Sequence, residues 1–177
     1  MRLLRRRNAS SIVKEGIPSV FPRVWRFAFA LAGTRERADD LAQSACLRAI
    51  EKASQFKPGT QLDRWMFRIT HNLWISELRK ETVRRGGGLV QVEDADLPNP
   101  SQTPEETMML RDVMLAVLRL PEAQRAAVII VYVEGYSYKD AAIILDIPIG
   151  TVMSRLATAR ATLGHTFKEQ VGLSDAR

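Results

Sequence analysis

Apolar and polar positions alternate along this chain with a helical period almost throughout, and no segment sustains a strand-like alternation of two. From Thr34 to about Ala53, Ala38, Leu41, Ala45 and Ala49 fall on one side of a helix that Thr34 is placed to cap. A shorter helix precedes it, from about Val20 to Ala32, and a longer one follows from about Leu62 to Thr82, with Leu62, Met66, Ile69 and Leu73 as the expected core stripe. Leu110, Val113, Met114 and Val117 give a further stripe behind Thr103-Pro104-Glu105-Glu106, a capping box with proline at the first helical position. The run Ala127 to Val133 (AVIIVYV) is rich in β-branched residues. Pro121-Glu122-Ala123-Gln124-Arg125 opens it and Gly135 closes it, so it is read as a buried helix.

The last third carries the most specific local pattern. Ser137 opens a short helix with Asp140 three residues on, and Ala141, Ile144 and Leu145 form its buried stripe. Asp146-Ile147-Pro148 breaks it, since Pro148 disfavours helical geometry at Ile147. Gly150-Thr151 begins a second helix reaching about Thr166, with Val152, Leu156, Ala159 and Leu163 on its inner face. Its outer face presents Met153, Ser154, Ala157, Thr158 and Ala161, small or hydroxylated side chains that let a helix enter a DNA major groove. Arg155 and Arg160 flank that face within reach of phosphates. The competing reading is an ordinary helical hairpin whose exposed face is simply small and polar.

Two helical domains follow, 15–84 and 104–170, joined by the linker 85–103, which holds Gly86-Gly87-Gly88 and then a proline-broken acidic stretch. The fold class is all-α. Charge sharpens the division. Residues 1–80 carry a balance of +9, residues 81–106 of −4, and residues 107–177 of +1, within a net +6. A basic first half points to a polyanionic partner, bound through phosphate neutralisation and counterion release; the alternative is a solvated basic surface.

On the 62–82 helix, Arg64, Arg68, His71, Asn72, Ile75 and Arg79 fall in an arc on the order of 100° wide, with Trp65 at its border. Arginine pairs with phosphate, asparagine reads a base edge and an aromatic ring stacks on an unpaired base, which suits single-stranded or melting DNA. The alternative is a basic solvated face with Trp65 and Trp74 as core fillers; for Trp74 the core is preferred.

Other chemistry is thinly represented. One cysteine, Cys46, excludes an intrachain disulfide and any multi-cysteine metal site, and reads best as a small buried hydrophobe. His71 and His165 stand far apart in sequence, so no metal site is expected, and no cofactor. No carboxylate pair, nucleophile–base set or phosphate loop supports an enzyme. No apolar run approaches the roughly 20 residues of a membrane span. The N-terminal MRLLRRRNASS, basic but with no apolar core behind it, is read as a mobile arm rather than a secretory signal.

The motifs LPEAQR, EGYSYKDAA and IPIGTVMSRLATAR, between Leu120 and Arg160, resemble the −35-reading region of extracytoplasmic-function (ECF) sigma factors of bacterial RNA polymerase, of the sigma-70 superfamily. The stretch ADDLAQSACLRA resembles their core-polymerase-binding helix, and LDRWMFRITHNLWISELRK their −10-recognition helix. Thr158 stands where the family usually has arginine, Asp140 and Ser44 where glutamate is common, Cys46 where phenylalanine is, and Ser76 where aspartate is.

The resemblance implies an alternative sigma factor, not an enzyme, working in the cytoplasm and on the nucleoid when in holoenzyme. Its partners would be core RNA polymerase, promoter DNA and an anti-sigma factor. Core polymerase would be bound by Asp39, Asp40, Leu41, Gln43, Leu47 and Arg48. The opened −10 strand would be held by Phe56, Lys57, Gly59, Thr60, Gln61, Arg64, Trp65, Arg68, Asn72 and Arg79, the loop 56–61 accepting a flipped base. The −35 duplex would be read by Arg125, Tyr138, Lys139, Thr151, Met153, Ser154, Arg155, Ala157, Thr158 and Arg160. The acidic linker would enter the polymerase's basic RNA-exit channel. Two other readings compete: a sigma-like decoy that sequesters an anti-sigma protein, and a conventional two-domain regulator using the helix-turn-helix alone.

Overall fold

The computed structural model describes residues 8–85 and 112–174, and among them every regular element is helical. They form two compact units, one built from the helices up to Arg85, the other from the helices from residue 112 onward. The linker 85–103, apart from Arg85, lies outside the described residues, as does the expected helix start at Pro104.

Helix α1 spans Ala9–Ala32 and runs through Pro18 and Pro22. Asn8 caps it, its Oδ1 accepting from the Ser11 amide at 2.8 Å. The sequence reading began this helix near Val20 and gave Ala9–Ser11 to a mobile arm; residues 1–7 of that arm are outside the described residues. Each internal proline removes one backbone hydrogen bond, a cost of about 3 kcal/mol in an isolated helix. Packing offsets it here. Val13 and Val24 are fully buried, and Gly16 approaches the helix that begins at Leu62 so closely that a Cβ there would stand 2.4 Å from Leu62 Cδ2. Tertiary burial, invisible to local propensity, extends the helix by three turns.

Helix α2 spans Arg35–Glu51 and turns Ala38, Leu41, Ala42, Ala45 and Ala49 inward. A short 3₁₀ turn at Ala53–Gln55 leads to the loop before α3, Leu62–Arg85. The buried residues of α3 are Met66, Phe67, Thr70, His71 and Trp74, while Leu62, Ile69 and Leu73 are only half-buried. The core face therefore lies roughly one residue's step, about 100°, from the Leu62–Met66–Ile69–Leu73 stripe. Aromatic anchors set this rotation. Phe67 meets Phe27 edge to face at 5.4 Å, and the Arg37 guanidinium lies 4.9 Å from the centre of Trp74. Thr70 fits because its hydroxyl donates to the Met66 carbonyl at 2.9 Å. Arg37 also donates to Glu81 at 2.9 Å and Glu77 at 3.4 Å, tying α2 to α3, and Arg23 pairs with Asp63, tying α1 to the start of α3.

In the second unit, α4 is described over residues 112–118; Val117 is buried, Val113 and Met114 are half-buried, and Leu110 lies outside the described residues. Helix α5 spans Glu122–Val128 and continues into a π-helical turn, Ile129–Val133, closed by the Glu134 amide donating to the Ile129 carbonyl at 2.9 Å. Ala126 through Ile130 are buried, but Tyr132 and Val133 are 50% and 48% exposed, so AVIIVYV is helical without being buried throughout.

Helix α6, Tyr138–Leu145, carries the expected cap: Ser137 Oγ accepts from the Asp140 amide at 3.1 Å and donates to Asp140 Oδ2 at 2.7 Å. It ends at Asp146, which takes the left-handed conformation (φ 54°, ψ 46°), with the Ile147 amide donating to Ala142 at 3.1 Å. The break thus falls two residues before Pro148. Helix α7 starts at Ile149 and continues to Ser174, well past Thr166. The chain bends by 104° between α6 and α7, within the range of a helix-turn-helix. Val152, Leu156 and Ala159 are fully buried and Leu163 half-buried, as their period requires, and α7 packs on α5 and α6. Among the described residues no single helix is long and apolar enough to cross a membrane.

Candidate nucleic-acid interface

The outer face of α7 is set by the burial of Val152, Leu156 and Ala159. Met153, Ser154, Ala157 and Thr158 are exposed, and Thr151, in the first turn, is half-buried. The Ser154 hydroxyl donates to the Thr151 carbonyl at 3.0 Å and the Thr158 hydroxyl to the Ser154 carbonyl at 3.1 Å. Their protons are spent inside the helix, leaving oxygen lone pairs for an incoming donor such as the exocyclic amine of adenine or cytosine.

Arginines border this face unequally. Arg160 is exposed and donates to the Tyr132 hydroxyl, which donates in turn to Tyr138. Partial desolvation and that bond to Tyr138 push the Tyr132 hydroxyl above its ordinary range. Arg155 is half-buried near Glu122, whose carboxyl burial pushes up against the opposing charges of Arg125 and Arg155. Lys139 is exposed on α6 and Tyr138 half-buried. Arg125 is a correction: it is 4% exposed, and its Nη1 donates to the Leu118 carbonyl at 2.5 Å. It satisfies the end of α4 from inside the unit and is not a surface contact. Burial lowers its pKa, with Glu122 opposing.

In the first unit, Arg68, Asn72 and Arg79 are exposed along α3, with Arg64 and Ile75 half-buried beside them and Trp65 half-buried at the edge. His71 leaves this arc for the core, where it is 7% exposed. The loop before α3 turns at Lys57-Pro58-Gly59-Thr60. The Lys57 carbonyl accepts from the Thr60 amide at 3.1 Å and the Thr60 hydroxyl at 2.7 Å, and Gly59 has φ +91°, a value that favours glycine after a proline. Lys57, Gly59, Thr60 and Gln61 are exposed. Phe56 is the second correction: at 3% exposure it lies in the core against Trp65 and forms the floor of the loop.

On α2, Asp40, Gln43, Ser44, Leu47 and Arg48 are exposed, and Ile50 adds apolar area, with Leu47 57% and Ile50 40% accessible. Leu41 is the third correction, a core residue at 3%. Asp39 is exposed and accepts from Trp25 Nε1 at 2.6 Å, so it also braces α2 against α1. Cys46 is half-buried, and burial raises its thiol pKa. Among the described residues no cluster of three or more His, Cys, Asp or Glu side chains could hold a metal. The sequence reading missed Trp25, Glu122 and Tyr132, each of which organises a neighbour across elements rather than along one helix.

Two exposed basic or small-residue helical faces, each on its own unit, therefore accompany a mixed acidic and apolar face on α2. Comparison with known proteins gives this arrangement a family. Residues 19–84 match Sigma-70 region 2 and residues 110–163 match Sigma-70, region 4. The chain is 37% identical over 158 residues to the ECF RNA polymerase sigma factor EcfG of Rhodopseudomonas palustris, covering 85% of this chain and 82% of that protein. It is 36% identical over 140 residues to the ECF RNA polymerase sigma factor SigM of Mycobacterium tuberculosis, covering 79% and 69%. Its fold is similar to that of the sigma factor RpoE from Bartonella quintana, solved in complex with the anti-sigma factor NepR, with a TM-score of 0.75 and 32% identity over 88% of this chain and 96% of that one. The chain belongs to the ECF RNA polymerase sigma factors.

Proposed function

We propose that this protein binds core RNA polymerase and directs it to promoters by reading two elements, −35 duplex through α7 and −10 DNA through α3. The observation that carries this reading is the outer face of α7: Met153, Ser154, Ala157 and Thr158 stand exposed, on a helix-turn-helix bent by 104°. Ser154 and Thr158 accept from base edges, Met153 and Ala157 give apolar contact to thymine methyls, and Arg155, Arg160 and Lys139 engage the backbone. On α3, Arg64, Arg68, Asn72 and Arg79 hold the opened −10 strand, with Trp65 beside them. The turn formed by Lys57, Gly59, Thr60 and Gln61 takes a flipped base, and a shaped pocket recovers the few kcal/mol of its extrusion. Asp40, Gln43, Leu47 and Arg48 dock on the polymerase. Each DNA element alone is a weak site, and the tether between 85 and 103 makes them one strong site through effective concentration. The RpoE–NepR complex supports an anti-sigma protein as a further partner, and a role on core polymerase places the protein's action in the cytoplasm.

The test is transcription in vitro by purified protein with sigma-free core polymerase from a matched bacterium, on supercoiled genomic promoter pools, with RNA 5′ ends sequenced. Start sites sharing a two-part upstream motif are expected. No discrete starts, together with tight binding to an anti-sigma protein, would make the chain a decoy. Sequence-specific duplex binding without core binding would make it a conventional regulator.

A further inference from the structure

The π-helical turn at Ile129–Val133 puts one residue where helical spacing would not. In a continuous α-helix Tyr132 would follow Val128 by one turn, on the same face, and Val128 is 5% exposed. The wider π turn displaces it, and Tyr132 emerges half exposed. Its hydroxyl joins three elements: it sits on the π turn, donates to Tyr138 at the start of α6, and accepts from Arg160 on α7.

We propose that Tyr132 is a positioning residue for duplex DNA, holding Arg160 and Tyr138 as a preassembled pair that grips the sugar–phosphate backbone beside the groove α7 enters. This rests on the reading of α7 as the duplex-binding helix. Three features favour it. Arginine has five N–H donors, so one bond to a phenol leaves others for a phosphate on this exposed side chain. The partner is neutral. Among the described residues Arg160 has no acidic partner, so its charge is held in place without being cancelled. An acid in Tyr132's place would oppose the approach of a phosphate. Finally, ordering a long arginine before DNA arrives removes part of the entropy that binding would otherwise lose.

The experiment uses holoenzyme and a promoter fragment taken from the 5′-end mapping above, with affinity measured across a salt series. Tyr132→Phe should weaken binding by about fivefold, the worth of one hydrogen bond. The loss should be equal across −35 sequence variants, because the contact is to the backbone. Arg160→Ala should lower the log–log salt slope by about 1. Adding Tyr132→Phe to Arg160→Ala should cost no more than about twofold further, since the two act as one unit. Core-polymerase binding and the thermal midpoint should not move, which separates positioning from a folding defect. Wild-type affinity in Tyr132→Phe, or its full loss persisting in the Arg160→Ala background, overturns the proposal. If Arg160→Ala itself leaves promoter affinity and slope unchanged, the backbone role of this edge of α7 falls, and the brace falls with it.

Discussion

Phe56 lies under Trp65, with ring centroids 5.3 Å apart and planes inclined at 54°. The pair joins the loop before α3 to the helix itself, and it divides labour. Phe56 is buried and sets the loop's height, while Trp65 keeps one side accessible. Phe56→Ala should therefore destabilise the first unit by about 3 kcal/mol, the usual cost of truncating a buried phenylalanine. Gln61→Ala, at an exposed position of the same loop, should stay within about 0.5 kcal/mol. Urea unfolding of the full chain checks both; equal midpoints for Phe56→Ala and wild type would mean that Phe56 is not the loop's floor.

The same separation of core from surface applies to α2. Leu41 and Leu47 are both leucines in the motif that resembles a polymerase-docking helix, yet one is 3% and the other 57% exposed. Leu41→Ala should cost about 3 kcal/mol of stability. Leu47→Ala should leave stability nearly unchanged and weaken core-polymerase binding by about tenfold, as loss of an apolar anchor does. Thermal melts and a core-binding titration on both variants distinguish the roles. Unchanged core affinity in Leu47→Ala would remove α2's outer face from the docking surface.

These two cases show what the sequence could and could not convey. The all-α class, the order of helices, the Ser137 cap and the inner stripe of α7 follow from short-range rules, because capping and a 3.6-residue period act within a few residues. Most of the misassignments share one cause. Phe56, His71 and Arg125 each lie where a local pattern allowed an outward direction, and distant contacts decided otherwise, Trp65 for Phe56 and the Leu118 carbonyl for Arg125. Leu41, by contrast, lay on the inner stripe from the start, and only the motif resemblance had placed it on the docking face. On α3 the aromatic contacts of Phe67 and Trp74 outweighed the aliphatic stripe and turned the helix. The start of α1 was hidden for the opposite reason, since two prolines argue against a helix that Val13 and Gly16 stabilise by packing. The π turn has no local signature at all, and Tyr132 was lost with it.

Glu122 supplies a pH test. Burial holds its carboxyl above the usual 4.5, against the pull of Arg125 and then Arg155. A raised carboxyl pKa means that the folded state binds the proton more tightly than the unfolded chain. Stability from this group is therefore fullest below about pH 4.5 and declines as pH rises through the folded value. Glu122→Gln, which cannot ionise, should gain stability relative to wild type as pH rises from about 4 to about 7, and the gain should level off above the folded pKa. Paired urea titrations across that range measure the difference directly. A gap that instead widens toward acid would show that the arginines, and not burial, govern this carboxyl.

Thr158, where the motif resemblance leads one to expect arginine, stands exposed on the outer face of α7. Thr158→Arg removes the hydroxyl's bond to the Ser154 carbonyl, but arginine is the better helix former, so stability should change by less than about 0.5 kcal/mol. The effect should fall on DNA. If the new guanidinium reaches a base, it pairs bidentately with guanine, and the −35 motif recovered from mapped start sites should gain a guanine preference at one position, worth about 1–3 kcal/mol. If it reaches a phosphate, promoter affinity should rise for all sequences, with the salt slope steeper by about 1. The wild-type threonine offers only an acceptor oxygen, so the unmodified protein should tolerate more sequence variation at that step. An unchanged motif together with an unchanged slope would show that residue 158 faces away from the groove and that α7 docks in a different rotation.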